Sequence, residues 1–197
     1  DPGAVWPRGR PKVKEKDITL KAAKILQKRL EERGAEVVLT RTKDEYLKLR
    51  ERANVALRED ADVFVSIHVN SAKSGKAKGW EVWYHDYREQ SFALAKKVAR
   101  ELRKQNIITE HGDNPRSDYR RYKRGFAVLR GLGSEIPGIF VELGFITNRH
   151  DREALLRDSV LEALMEKIAR AIMPQEVRVA PEALIPVIFE GKTVGRA

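Results

Sequence analysis

Cysteine is absent from this chain. That excludes a disulfide framework, a cysteine zinc finger, an iron–sulfur cluster and a cysteine nucleophile. It leaves the compartment open, since an oxidising space does not require cysteine. Long apolar runs are missing too: nothing approaches the roughly 18 residues of a membrane-spanning helix. There is no signal-peptide pattern, but the first residue is Asp1 rather than methionine, so this absence excludes nothing. Several catalytic signatures are also lacking. There is no Gly-x-Ser-x-Gly elbow, no phosphate-binding Gly-x-x-x-x-Gly-Lys-Ser/Thr loop and no His-x-x-x-His pair. Gly131-Leu132-Gly133 lacks the third glycine of a dinucleotide fingerprint. The four histidines (His68, His85, His111 and His150) are scattered, and the last three lie in polar turns, which predicts surface positions.

What is abundant is charge. The chain carries 39 Lys+Arg against 29 Asp+Glu, a formal balance of +10. Such a domain is drawn to polyanions such as nucleic acid, anionic lipid or acidic wall polymers. Much of the charge is of mixed sign, as in Lys28 to Arg33, which reads as a solvated helix face. The segment Arg116 to Arg130 is one-sided, with Asp118 alone against six cations. No helix gathers Lys and Arg on one face, and no aromatic platform is interleaved with the basic run, so nucleic acid is not the expected partner. High Lys, Arg and Glu with two methionines resembles a heat-adapted, thermostable composition. With 197 residues and 42% hydrophobic content, the chain is long enough for one domain with a core that needs no staples.

The pattern alternates. Ile18, Ala22, Ile25, Leu26 and Leu30 recur at helical spacing behind Asp17 as N-cap, and Gly34 closes that helix. Ala35–Leu39 reads as a short strand and Asp44–Glu59 as a second helix. Asp62–His68 is dense in β-branched residues and reads as a strand, as does Gly79–Tyr84 with Trp80, Val82 and Tyr84 on one face. A helix follows over Glu89–Gln105, then a polar loop, short strands at Phe126–Leu129 and Ile139–Val141, and helices near Asp151 and over Ser159–Ile172. Residues 1–14 read as a loop. The expectation is an α/β domain with a mainly parallel twisted sheet flanked by helices on both faces. Pro174 ends the last helix. The stretch beyond it, residues 174–197, reads as a C-terminal extension, either an edge segment or an arm packed on the domain.

In open α/β sheets functional groups gather past the carboxyl ends of strands. His68 ends one apolar run and Glu142 another, and Glu15 precedes the first long helix near the same edge. One histidine and two glutamates converging there are the ingredients of a hydrolytic zinc site. Each has a plainer reading. A histidine at a strand end is commonly a hydrogen-bonded structural residue, Glu15 can favour a helix N-terminus, and Glu142 can pair with an arginine.

Larger motifs occur in one order. They are Glu15-Lys16-Asp17-Ile18, Leu39-Thr40-Arg41, Leu49-x-x-Arg52-Ala53-Asn54, Ser66-Ile67-His68-x-Asn70, Gly79-x-Glu81-x-Trp83-Tyr84 and Val141-Glu142-x-Gly144-Phe145-Ile146-x-Asn148. Over residues 1–173 the chain resembles the zinc-dependent N-acetylmuramoyl-L-alanine amidases of the amidase-3 type. The resemblance implies hydrolysis of the amide between N-acetylmuramic acid and L-alanine in peptidoglycan, with Zn as cofactor. It implies Glu15 and His68 as metal ligands and Glu142 as the catalytic carboxylate. It further implies a cell-envelope or secreted location, a host autolysin or phage lysin, and a monomer with peptidoglycan as its partner. The family's first histidine ligand is not found: Asp1-Pro2-Gly3-Ala4 matches a segment that follows it. The expectation is that this ligand and the first strand lie upstream of residue 1. The other reading is that Ala4 replaces the ligand, which would make the chain a non-catalytic peptidoglycan-binding domain. In some relatives an inserted helix covers the metal until an activator arrives. The room for one here is the polar loop from Gln105 to Arg124, and an open groove is expected.

Overall fold

A computed structural model describes residues 3–6, 12–174 and 187–189. The order is β1 (Val5–Trp6), β2 (Val13–Lys14), α1 (Glu15–Glu31), α2 (Leu49–Arg58), β3 (Phe64–Asn70), β4 (Glu81–Tyr84), α3 (Glu89–Leu102), β5 (Arg116–Ser117), α4 (Asp118–Tyr122), α5 (Ala127–Arg130), β6 (Gly138–Phe145), α6 (Arg149–Leu155), α7 (Asp158–Ile172) and β7 (Val187–Phe189). A central sheet runs β5-β4-β6-β3-β7, and β1 pairs with β2 as a separate antiparallel ribbon. In the central sheet β3–β6, β3–β7 and β4–β5 are parallel, whereas β4–β6 is antiparallel. The sheet is therefore mainly parallel, as the alternating pattern implied, and the antiparallel β4–β6 pair makes it mixed.

Period-two alternation splits the strand residues between two layers. Val65, Ile67, Val69, Val82, Ile139, Val141 and Leu143 enter the larger core with α1, α3 and α7. On α7 the residues Val160, Leu161, Leu164, Met165, Ile168 and Ala169 form one helical stripe and are all buried there. Each large aliphatic side chain so enclosed contributes about 1.5–3 kcal/mol of transfer free energy. Phe64, Trp83 and Phe140 point to the other face, into a smaller core with Ala53 and Ala56 of α2 and Val128 and Leu129 of α5. Helices thus cover both faces, and the thinner layer leaves room for a site.

Several local expectations need correction. The first helix begins at Glu15, not behind Asp17, because β2 feeds straight into it and the Glu15 N–H donates to the Ala4 carbonyl (2.9 Å). The loop expected over residues 1–14 contains the β1–β2 ribbon. Ala35–Leu39 makes only isolated bridges rather than a ladder. The helix expected over Asp44–Glu59 is confined to Leu49–Arg58. Phe126–Leu129 is not a strand: α5 begins at Ala127, and this segment packs as a helix against α2. His68 and Glu142 lie within their strands, since β3 runs on to Asn70 and β6 to Phe145. The polar loop contains β5 and α4. Most of the expected extension over 174–197 lies outside the described residues; its Val187–Phe189 pairs in parallel with Val65–Ile67 at the sheet edge.

Candidate active site

The site forms on the thinner face, where alternation brings Ser66, His68, Glu81, Trp83, Phe140 and Glu142 to one side. Parallel pairing puts His68 opposite Glu142, and antiparallel pairing puts Glu81 opposite Glu142. Beyond His68 the β3–β6 register shifts, with Asn70 next opposite Phe145. A bulge of this kind re-aims side chains beside a site.

Glu15 enters from α1. Its Oε2 accepts from the Ala4 N–H (2.8 Å), and its Oε1 faces His68 Nδ1 (3.0 Å) and the Val69 N–H (3.3 Å). Glu15 is 1% exposed and His68 is 3% exposed. The other ring nitrogen of His68 meets Ser66 Oγ at 3.1 Å, and its ring stacks on Phe140 with centroids 4.0 Å apart. A carboxylate only accepts, so His68 donates from Nδ1. Burial lowers the His68 pKa and favours the neutral ring; the bond to Glu15 opposes this.

Glu142 has no such support. The residue is half-buried, but its Oε2 is enclosed without a hydrogen-bond partner. Loss of hydration pushes its pKa well above the usual carboxylate range, and the charges of Glu15 and Glu81 add to that. Glu81 is the reverse case. Asn70 Nδ2 (3.0 Å), Trp83 Nε1 (3.2 Å) and the Arg116 guanidinium all donate to it. Three donors thus surround this buried carboxylate two strands from His68. The Arg116 guanidinium also lies 4.8 Å above the Trp83 ring. Strand-face counting could have found Glu81, since it shares a face with Trp83, but a carboxylate inside a strand carries no signal of its partners.

The three residues singled out in the sequence are thus gathered at one sheet region. A buried imidazole touching a buried carboxylate supplies two donor types that zinc accepts. Among the described residues, however, no group of three His, Cys, Asp or Glu could hold a metal ion. Ala4 meets the second Glu15 oxygen through its backbone and brings no side-chain donor. Glu15 and His68 therefore fit part of a zinc site. Of the histidines expected at the surface, His150 is exposed. His85 is half-buried, and its Nδ1 lies 2.9 Å from Asp118.

The family model described as N-acetylmuramoyl-L-alanine amidase matches residues 1–173. The chain belongs to this amidase family. A probable cell wall amidase of Staphylococcus aureus, LytH, is 34% identical to it over 154 residues. That match covers 78% of this chain and 46% of the relative, so the amidase chain spans about half the length of that protein. Among solved structures, the N-acetylmuramoyl-L-alanine amidase AmiC2 of Nostoc punctiforme is similar, with a TM-score of 0.75 and 35% identity over 88% of each chain. The CwlD amidase of Clostridioides difficile is similar with a TM-score of 0.73 and 27% identity, over 87% of this chain and 90% of that one. The amidase fold and its mixed sheet are thus shared with enzymes named for this activity.

Proposed function

We propose that the chain is a zinc-dependent N-acetylmuramoyl-L-alanine amidase, cutting the amide that joins the lactyl group of N-acetylmuramic acid to the L-alanine of the stem peptide. The observation that carries this is Glu142: an enclosed, unpartnered carboxylate oxygen in register with His68, which itself touches Glu15. A group so poorly solvated binds a proton avidly, which suits a general base. Glu142 takes a proton from the attacking water as the carbonyl carbon gains its new C–O bond. It returns that proton to the alanine nitrogen as the C–N bond breaks, leaving a lactyl carboxyl group and a free amine. Glu15 and His68 would hold two positions of the zinc, which when bound acidifies water and polarises the carbonyl. Glu15 orients the His68 ring, and Glu81, fixed by its three donors, lies opposite Glu142 on the neighbouring strand.

The reading places the protein at the cell envelope or outside the cell, as a monomer acting on peptidoglycan. Among the described residues no helix is long and apolar enough to cross a membrane. Its test is release of peptides with free N-terminal alanine from purified peptidoglycan, with and without a chelator. Chelator-sensitive release supports it; release that ignores the chelator overturns the zinc assignment. A second reading, a wall-binding domain without catalysis, is favoured by the incomplete donor set around Ala4 and Glu15. It predicts cosedimentation with peptidoglycan and no release.

A further inference from the structure

A cavity of about 450 Å³ is lined by Asp86, Tyr87, Tyr119, Arg120 and Lys123, and Glu142 is not among its walls. It opens beyond the carboxyl end of β4, where Asp86 is five residues past Glu81. At about 3.3 Å per residue that is at most roughly 17 Å from the catalytic region. The walls are unusual. Tyr87 is 89% exposed and Tyr119 is 41% exposed, yet their rings meet edge to face at 5.7 Å. Among the described residues three non-glycine positions have positive φ, and two of them, Tyr87 (68°) and Lys123 (54°), line this cavity. Strain of this sort persists only where the surroundings impose it.

Those surroundings are built. Asp118 is fully buried, and its carboxylate accepts from the Phe126 N–H (2.7 Å) and faces His85 Nδ1 (2.9 Å). This ties the start of α4 to the end of β4 and to the turn before α5. Gly125 in that turn has φ of 64°, and a Cβ there would lie 2.7 Å from His85 Nδ1. The same short helix reaches the catalytic side. Tyr122, one turn after Tyr119, packs on Trp83 (5.7 Å) and Phe126 (5.3 Å). The helix α4 therefore runs from the Tyr87–Tyr119 cavity to Trp83, whose strand pairs with that of Glu142.

The chemistry of the walls selects the ligand. Two exposed phenol rings offer flat apolar faces with hydroxyl tips. Asp86 is neutralised by Arg120, whose Nε lies 3.2 Å from Oδ2, so the pair presents planar hydrogen-bonding groups rather than a bare charge. Flat aromatic faces flanked by planar polar groups suit the axial C–H face and ring hydroxyls of a pyranose. A polyanion would need neither ring.

We propose that the Tyr87–Tyr119 cavity is a sugar subsite that holds the glycan strand of peptidoglycan while the stem peptide lies at Glu142. The proposal rests on the amidase reading for its choice of glycan. The probe is peptide-free glycan strands of alternating N-acetylglucosamine and N-acetylmuramic acid, which contain no scissile amide. Failure of hydrolysis therefore leaves this test unaffected, and failure here leaves the amidase reading intact. Titrating the full chain should shift backbone amide resonances of residues 86–87 and 119–123. Tyr87→Ala and Tyr119→Ala should each weaken binding roughly tenfold, whereas Tyr119→Phe, which keeps the ring, should bind within about threefold. Melting midpoints confirm that the variants are folded, and the wild-type resonance map stands independently of them. No binding of the probe, shifts confined to other residues, or tighter binding of polyglutamate than of glycan would each overturn the subsite.

Discussion

Replacing Glu142 by Gln keeps the side-chain shape and removes its charge, so it separates what this group costs the fold from the catalytic role proposed for it. In the native protein burial holds its pKa well above the ordinary carboxylate value. In the unfolded chain it titrates near pH 4.3. Below that pH both states carry the proton and the group is neutral toward stability. As pH rises through the native value, the unfolded state has already released a proton that the native state retains or gives up at a cost, so stability falls. Gln has no such dependence. An enclosed polar atom without a partner costs about 1–3 kcal/mol; Gln keeps an enclosed amide, so the expected gain is about 1–2 kcal/mol. For a domain of this size each kcal/mol moves the melting midpoint by about 2–4 °C. In chelator at pH 8, Glu142→Gln should therefore melt roughly 2–8 °C above wild type. The gap should close toward pH 4–5, while peptide release is lost at every pH. Differential scanning calorimetry at the two pH values reads this directly. A variant that melts at or below wild type at pH 8, or a gap that does not change with pH, would refute the argument that Glu142 is an unsatisfied buried acid.

Other expectations follow from single contacts. His68→Ala should lower zinc content measured by metal analysis, because it removes one of two adjacent donors and leaves Glu15 Oε1 with only the Val69 N–H. Gly125→Ala should cost about 1–3 kcal/mol in urea unfolding, since φ there is positive and the added methyl meets His85 and Asp118. Asp118→Ala should cost about 1–3 kcal/mol, because the buried Phe126 N–H loses its acceptor. By contrast Glu153→Ala, which breaks an exposed pair with Arg149 on α6, should leave the urea unfolding midpoint unchanged, because solvent screens that pair.

Regular elements with long apolar periodicity were legible before any coordinates. Glu89 starts α3 as expected, and α7 begins within a residue of the expected Ser159. Both are amphipathic helices whose stripe is repeated over four turns, so local pattern and tertiary burial agree. Short apolar runs were not legible in the same way. Phe126–Leu129 contains the same residue types as a strand, and helix or strand was decided by what it packs against. Ala35–Leu39 has a strand's composition but only isolated bridges.

The candidate residues Glu15, His68 and Glu142 were marked by motif and strand position, which depend on residue type and order alone. Their states depend on three dimensions. Residue 15 and residue 68 are far apart in sequence, and only the packing of α1 on β3 brings a carboxylate to an imidazole at 3.0 Å. The order of residues does not show that Glu81 is surrounded by three donors while Glu142 keeps an oxygen that has none. Composition and periodicity determine that this chain forms an α/β domain with a mainly parallel sheet and helices on both faces, because apolar burial follows from local pattern; the antiparallel β4–β6 pairing was set by the tertiary structure. Which carboxylate is surrounded by donors and which keeps an unpartnered oxygen is decided by desolvation and hydrogen bonding, and these exist only once the strands are paired.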